Sequence, residues 1–255
     1  MQHVERRRKR TKTSVVLVLG HRGASADAPE NTLAAFAEAQ RQGADGIELD
    51  AMLCGSGEVV VCHDERLDRL AGLPWLVRDT PLWKLQQADV GSHLGFEPAR
   101  IPTLVEVLGA VPPHFLVNIE LKCSNFDDHG LSRRVVELVL AAGARDRVLI
   151  SSFNALCLWR VGQADPTLRR GFLVDPDRPY FVQANVLAPL VSSHSVHFFY
   201  QSCTPERVAR WRNRGIEVAA WTVDDPQTSL ALQQMGIRYC ITNRPALIRE
   251  RGRTV

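Results

Sequence analysis

Three short stretches of the chain place charged side chains where packing alone gives no reason for them. In "IELD", Glu48 and Asp50 stand two residues apart in a strand-like segment, so both carboxylates point to one face of the sheet. In "NIELK", Glu120 and Lys122 repeat the arrangement on the next strand. Buried charges must be paired or bound to metal. Three carboxylates converging from adjacent strand ends are hard oxygen ligands, suited to Mg²⁺ or Ca²⁺ rather than to zinc or copper. The competing reading of the same spacing is an internal ion-pair cluster with Lys122. The third stretch, "LGHRGASADAPENT", runs from an apolar strand straight into His21, Arg22 and Gly23, and a cationic pair at a strand end suggests a site for an anion. His21, and His63 in "VCHDERL", each stand where an apolar strand stops, the placement from which acid–base groups act in α/β barrels. His93, His114, His129, His194 and His197 lack that placement and are expected to be ordinary.

These residues need elements to carry them. Eight strands are expected: "VVLVLG" (15–20), "DGIELDAM" (45–52), "FLVNIELK" (115–122), "RVLISSF" (147–153), "RGFLV" (170–174), "VHFFY" (196–200), "IEVAAWTV" (216–223) and "RYCITN" (238–243). Helical patterns lie between them, among them "LSRRVVELVLAAG", "ALCLWRVGQA", "PERVARWRNRG" and "PQTSLALQQMG". In the first, "NTLAAFAEAQRQG", Leu33, Phe36, Ala37 and Gln40 form an i, i+3, i+4, i+7 stripe, with Asn31 as the expected cap and Gly43 as the stop. Strand, helix, glycine, strand repeated eight times is the grammar of a TIM (β/α)8 barrel; a doubly wound open sheet is the alternative, because closure is not written in sequence. One region breaks the rhythm after the second strand. It holds a Gly-rich turn ("CGSGE"), a short strand ("VVVCHD") and "LPWLVRDTPLWKL", and is expected to be an insertion of about 64–100 that covers one mouth of the barrel.

Length and composition agree with one barrel domain over 14–250. The 255 residues are 45% hydrophobic and 23% charged, which excludes disordered and collagen-like classes. The net charge of +3 is unevenly spread: six basic residues between Arg6 and Lys12, against Glu5, give +5, leaving about −2 for the rest. Residues 1–13 therefore read as a basic, solvated, disordered tail. "SVVLVLG" is too short for a signal core and no cleavage site follows. No apolar run reaches the ~20 residues of a membrane span. Six cysteines without metal-ligand or CxxC spacing are expected to be reduced thiols, with the cytoplasm as the compartment.

"HRGASADAPENT", "GADGIELD", "VVVCHD", "NIELK", "AWTV" and "ITNRP", in this order, resemble the glycerophosphodiester phosphodiesterase family, a TIM barrel related in architecture to phosphoinositide-specific phospholipase C. The resemblance spans about residues 15–248. It implies that His21 and His63 are the general acid–base pair and that Glu48, Asp50 and Glu120 hold a divalent cation. Arg22 and Lys122 would contact the phosphate, and Trp221 would wall the site against the glycerol part. Glu30 would brace the H-R-G turn. The implied reaction is metal-dependent hydrolysis of a small glycerophosphodiester to sn-glycerol 3-phosphate and an alcohol such as choline or ethanolamine. Nucleic acid is not an expected partner, and membrane contact is expected only through the basic tail. Two departures stand out: "AMLCGSGEVVVCHD" replaces the family's threonine and aspartate-glycine turn, and Asn243 replaces the commoner aspartate. Two alternatives accompany the reading. One is a lysophospholipase D-type activity, with Leu73, Trp75, Leu76, Leu82 and Trp83 as an acyl rim or merely as packing; the other is a non-catalytic binding barrel.

Overall fold

In the computed structural model, which describes residues 16–123, 126–180, 183, 187–191 and 193–252, strand β1 (Leu17–His21) pairs in parallel with β2 (Gly46–Leu53) along one edge. Along its other edge it pairs with the last strand, β9 (Tyr239–Thr242). Between β2 and β9 run β4 (Leu116–Leu121), β5 (Val148–Ser152), β6 (Arg169–Val174), β7 (Ser195–Phe199) and β8 (Glu217–Trp221), each parallel to its neighbours. The ring of eight is closed, so the barrel is the architecture and the open sheet is not. The expected basic tail lies outside the described residues.

Parallel strands are covered on both faces, which is why β5 is buried along its whole length rather than alternating. Inside the ring, Leu19, Leu149, Ala219, Tyr239 and Ile241 pack on one another and make a filled core. Outside it, helices such as Leu131–Ala141 and Ala155–Ala164 bury Val135, Val139, Leu158 and Val161 against the sheet.

The first helix corrects two expectations. It spans Leu33–Arg41 and buries Ala35, Phe36 and Ala39, while Ala37 and Gln40 face solvent. Its cap is Thr32, in extended conformation, whose hydroxyl accepts from Ala35 N at 3.2 Å. Asn31 has φ 58° and cannot serve as the extended cap residue; its side chain goes elsewhere. Small residues face the barrel because the helix lies directly against the H-R-G turn. A Cβ on Gly23, where φ is +86°, would meet the Ala35 backbone at 2.5 Å. Glycine after Arg22 is thus required twice, by conformation and by space.

The segment after β2 forms a hairpin. β3 (Val59–Val61) runs antiparallel to β2, with Val61 opposite Ala51, and the turn closes with Gly57 at φ +92°. The chain beyond builds a satellite core from Val60, Leu67, Leu70, Val77 and Leu85. Leu73, Trp75 and Leu82 pack on that core, Leu76 is half-buried, and Trp83 is 65% exposed. This segment reaches the H-R-G loop through Arg69, whose guanidinium forks onto Glu30.

His197 illustrates an interior polar group with a structural role. It is fully buried, its Nε2 lies 2.9 Å from Ser195 Oγ, and a Cβ on Gly171 would meet that nitrogen at 2.4 Å. Burial drops its pKa from 6.5 to about 3. Between those values the unfolded chain binds the extra proton, so stability is lost as pH falls below 6.5. In denaturant titrations at pH 6.5 and 5, both in EDTA, His197→Gln is expected to show a shallower acid-side loss, by up to ~1.4 kcal/mol per pH unit.

Candidate active site

Register decides which charged groups meet. His21 lies opposite Glu48 across β1 and β2, and Asp50 lies opposite Glu120 across β2 and β4. One ligand oxygen from each of Glu48, Asp50 and Glu120 falls within 4.8 Å of the others. Two cations close on this triad. Lys122 Nζ is 3.0 Å from Glu120 Oε1 and 3.6 Å from Asp50 Oδ1, and Arg22 Nε is 3.3 Å from Asp50 Oδ2. The backbone N–H of Arg22, itself at φ 54°, donates to Glu48 Oε2 at 3.0 Å.

The internal ion-pair reading is therefore present as geometry but does not balance. Three carboxylates face two cations, and Arg22 is shared with Glu30 at 2.9 Å. The excess shows in proton affinities. Burial, then Asp50 and Glu120, push Glu48 well above the usual carboxylate range; burial, then Asp50, push Glu120 up to about 7. Burial would raise Asp50 too, but Lys122, Arg22 and His63 together hold it below its ordinary value. Three converging carboxylates whose charge two cations do not balance are a hard-oxygen donor set that fits a divalent ion.

His63 reaches this group through β3. The Asp50 carbonyl accepts from Cys62 N at 2.9 Å, whereas the next carbonyl, Ala51, accepts from Lys122 N on the opposite edge. β3 thus occupies the same edge of β2 that β1 uses lower down, and the unusual "CGSGE" turn delivers His63 beside Asp50. Its Nδ1 lies 2.6 Å from Asp64 Oδ1.

His21 Nδ1 lies 2.7 Å from Asn243 Oδ1, which also accepts from Ser25 Oγ at 2.8 Å. The amide of Asn243 is oriented by Asp224: its Nδ2 donates to Oδ2 at 2.6 Å and its backbone N to Oδ1 at 2.7 Å. Asn243 therefore offers His21 only an acceptor, the ring carries its proton on Nδ1, and Nε2 faces Glu48 at 3.9 Å. A cleft of about 330 Å³ opens here, lined by His21, Arg22, Glu30, Asp224 and Asn243. Burial, followed by the charge of Arg22, lowers the pKa of His21.

Trp221 sits at the end of β8 with Phe153 and Phe199 at ring distances of 5.8 and 5.7 Å; Phe199 in turn packs on Tyr200 at 5.0 Å. Its buried indole N–H has no protein partner among the described residues.

Of the residues singled out from the sequence, His21, Arg22, Glu48, Asp50, Glu120 and Lys122 meet one another, while His63 follows β3 and Trp221 stands apart from them at the end of β8; several of their supports were missed. Asn31, expected to cap a helix, donates to Asp50 Oδ2 at 2.8 Å and accepts from Asp50 N at 3.2 Å. Asn243, which replaces the commoner aspartate, is the partner of His21. Aromatic residues at the ends of "LISSF" and "VHFFY" were the available signal for the wall around Trp221. No such signal marked Asp224 or Arg69.

Comparison with known proteins gives a consistent picture. The family model described as "Glycerophosphoryl diester phosphodiesterase family" matches residues 21–247. The chain is similar to a glycerophosphodiester phosphodiesterase of Caldanaerobacter subterraneus subsp. tengcongensis, 36% identical over 232 residues, covering 90% of this chain and 94% of that one. Among solved structures it is similar to a phosphodiesterase of Oleispira antarctica in complex with the product sn-glycerol-3-phosphate. That match has a TM-score of 0.80 and 29% identity, and covers 92% of this chain and 95% of the other. A glycerophosphodiester phosphodiesterase of Thermotoga maritima matches with a TM-score of 0.74 and 30% identity, covering 92% and 98%.

Proposed function

The chain belongs to the glycerophosphoryl diester phosphodiesterase family, and from that premise we propose that it hydrolyses small glycerophosphodiesters to sn-glycerol 3-phosphate and an alcohol, with Mg²⁺ or Ca²⁺ held by Glu48, Asp50 and Glu120. The observation that carries the reading is the convergence of three carboxylates, two cations and two histidines at the carboxyl end of one barrel. When bound, the ion withdraws charge from the phosphate and makes a hydroxyl more acidic.

The chain's own groups do the rest. Arg22 presents a planar fork to two phosphate oxygens, and Lys122 acts as a point charge. Both stabilise the charge that gathers in the transition state. His21, with Nδ1 held by Asn243 and Nε2 facing Glu48 at 3.9 Å, is the base that takes the proton of the attacking water. His63, set against the Asp64 carboxylate, is the acid that gives a proton to the leaving oxygen. Trp221 covers the carbon face of the glycerol.

The test is glycerol 3-phosphate release from glycerophosphocholine with Mg²⁺, with Ca²⁺ and with EDTA. EDTA is expected to abolish release and one of the two ions to restore it. Full rate in EDTA would remove the metal from the reading. Faster cleavage of micellar lysophosphatidylcholine than of glycerophosphocholine would move the substrate to an acylated one.

A further inference from the structure

We propose that Arg69, on the short helix Asp68–Ala71 of the segment that follows β3, is a positioning residue that couples the acid–base group His63 to the phosphate-binding group Arg22. The inference rests on the roles given to those two groups above and concerns what holds them in register. Arg69 Nε donates to Asp64 Oδ2 at 2.7 Å, and the other oxygen of that carboxylate, Oδ1, lies 2.6 Å from His63 Nδ1. The two terminal nitrogens of Arg69 fork onto Glu30, Nη1 to Oε2 at 2.9 Å and Nη2 to Oε1 at 2.8 Å. Glu30 in turn accepts from Arg22 Nη1 at 2.9 Å. One guanidinium thus spans two carboxylates, each of which orients a different group of the site.

The arrangement has a physical rationale. Arg69 stands on a segment whose apolar side chains form the satellite core, Arg22 stands on the H-R-G turn of the barrel, and His63 follows β3, which packs Val60 into the satellite core and Val59 and Val61 into the barrel core. Groups carried on different loops need a rigid tie if they are to stay aligned to within a fraction of an ångström, and misplacement on that scale costs rate. Arginine suits the task because its planar fork satisfies two carboxylates at once, which a lysine ammonium on a flexible stem does not. Arg69 makes no contact with the acidic triad. It acts only through Asp64 and Glu30.

The experiment compares Arg69→Ala and Arg69→Lys with the wild type in kcat, KM and melting temperature, and measures the coupling between Asp64→Asn and Glu30→Gln. We expect kcat to fall about 10- to 100-fold in both Arg69 variants, the range found for residues that orient a reacting group from behind. Free guanidinium should recover part of the loss in Arg69→Ala. With Arg69 present, the loss in the Asp64→Asn, Glu30→Gln double variant should be smaller than the product of the single losses; in the Arg69→Ala background the two should become multiplicative. A kcat within twofold of wild type, or multiplicative losses with Arg69 in place, would overturn the coupling. A readout independent of turnover separates this from failure of the site reading: the low-field Nδ1 proton of His63, assigned by its loss in His63→Ala. It should broaden or shift in Arg69→Ala. An unchanged resonance overturns the tie whatever the activity, whereas a shifted resonance with full turnover in His63→Ala would sink the role of His63 and leave the tie standing.

Discussion

Replacing Glu48 with glutamine is expected to cut turnover by on the order of 10³-fold, about 4 kcal/mol of transition-state stabilisation, while raising the melting temperature of the metal-free protein. The two effects move in opposite directions for one reason. Burial, Asp50 and Glu120 all oppose the charge on Glu48, so its folded-state pKa lies above the unfolded value. A carboxyl raised in this way stabilises the fold only while it keeps its proton, and its contribution is lost as pH rises above its ordinary 4.5. At pH 7.5 in EDTA, glutamine removes that penalty, and its carbonyl can still accept from Arg22 N. With Mg²⁺ or Ca²⁺ added, the wild type should gain stability that the variant does not. Thermal melts with and without each ion, beside the activity assay, read all three. A variant that melts lower in EDTA and keeps more than a tenth of its activity would make Glu48 a structural acceptor for the H-R-G turn rather than a ligand.

The second large effect is expected at the histidines. His21→Ala and His63→Ala should each lose on the order of 10² to 10⁴ in kcat, the usual contribution of a positioned acid or base. The fold should stand, because neither ring belongs to the hydrophobic clusters. The leaving group distinguishes their roles. Choline leaves as a strongly basic alkoxide and needs a proton; p-nitrophenolate does not. On a p-nitrophenyl phosphodiester, His63→Ala should recover most of its rate and His21→Ala should stay slow. The reverse pattern would exchange the roles argued from Asn243 and Asp64. Asn243→Ala gives a further check: by freeing the His21 ring it should lower kcat more than it raises KM.

Much of this site was legible because its chemistry is local. Glu48 and Asp50, or Glu120 and Lys122, share a face as soon as their segments are strands, since side chains alternate every second residue. His21 with Arg22 and Gly23 marked an anion site for the same reason: a cationic pair at a strand end has no use in packing. The eight strand segments were readable from β-branched runs punctuated by glycine, within a few residues of their observed ends. The helix stripe failed where local pattern is weakest. In an alanine-rich helix the buried face is chosen by what it lies against, here the H-R-G turn, and Ala35 and Ala39 fit there while Phe36 reaches the core.

What the sequence determined by itself was the set of elements, the charged residues aimed at one end of them, and hence the class of chemistry. The tertiary structure alone decided closure, which depends on β1 meeting both β2 and β9, and the arrival of His63 beside Asp50, which depends on β3 taking the edge of β2 that β1 leaves free. It also decided the partners of the candidate site residues. Asn243 meets His21 across 222 positions of chain, Arg69 meets Glu30 across 39, and Asn31 leaves its helix for Asp50 across 19. Strand alternation and turn preference act over a few residues and are written locally. Hydrogen bonds between distant loops exist only once the closed barrel has fixed where each strand ends.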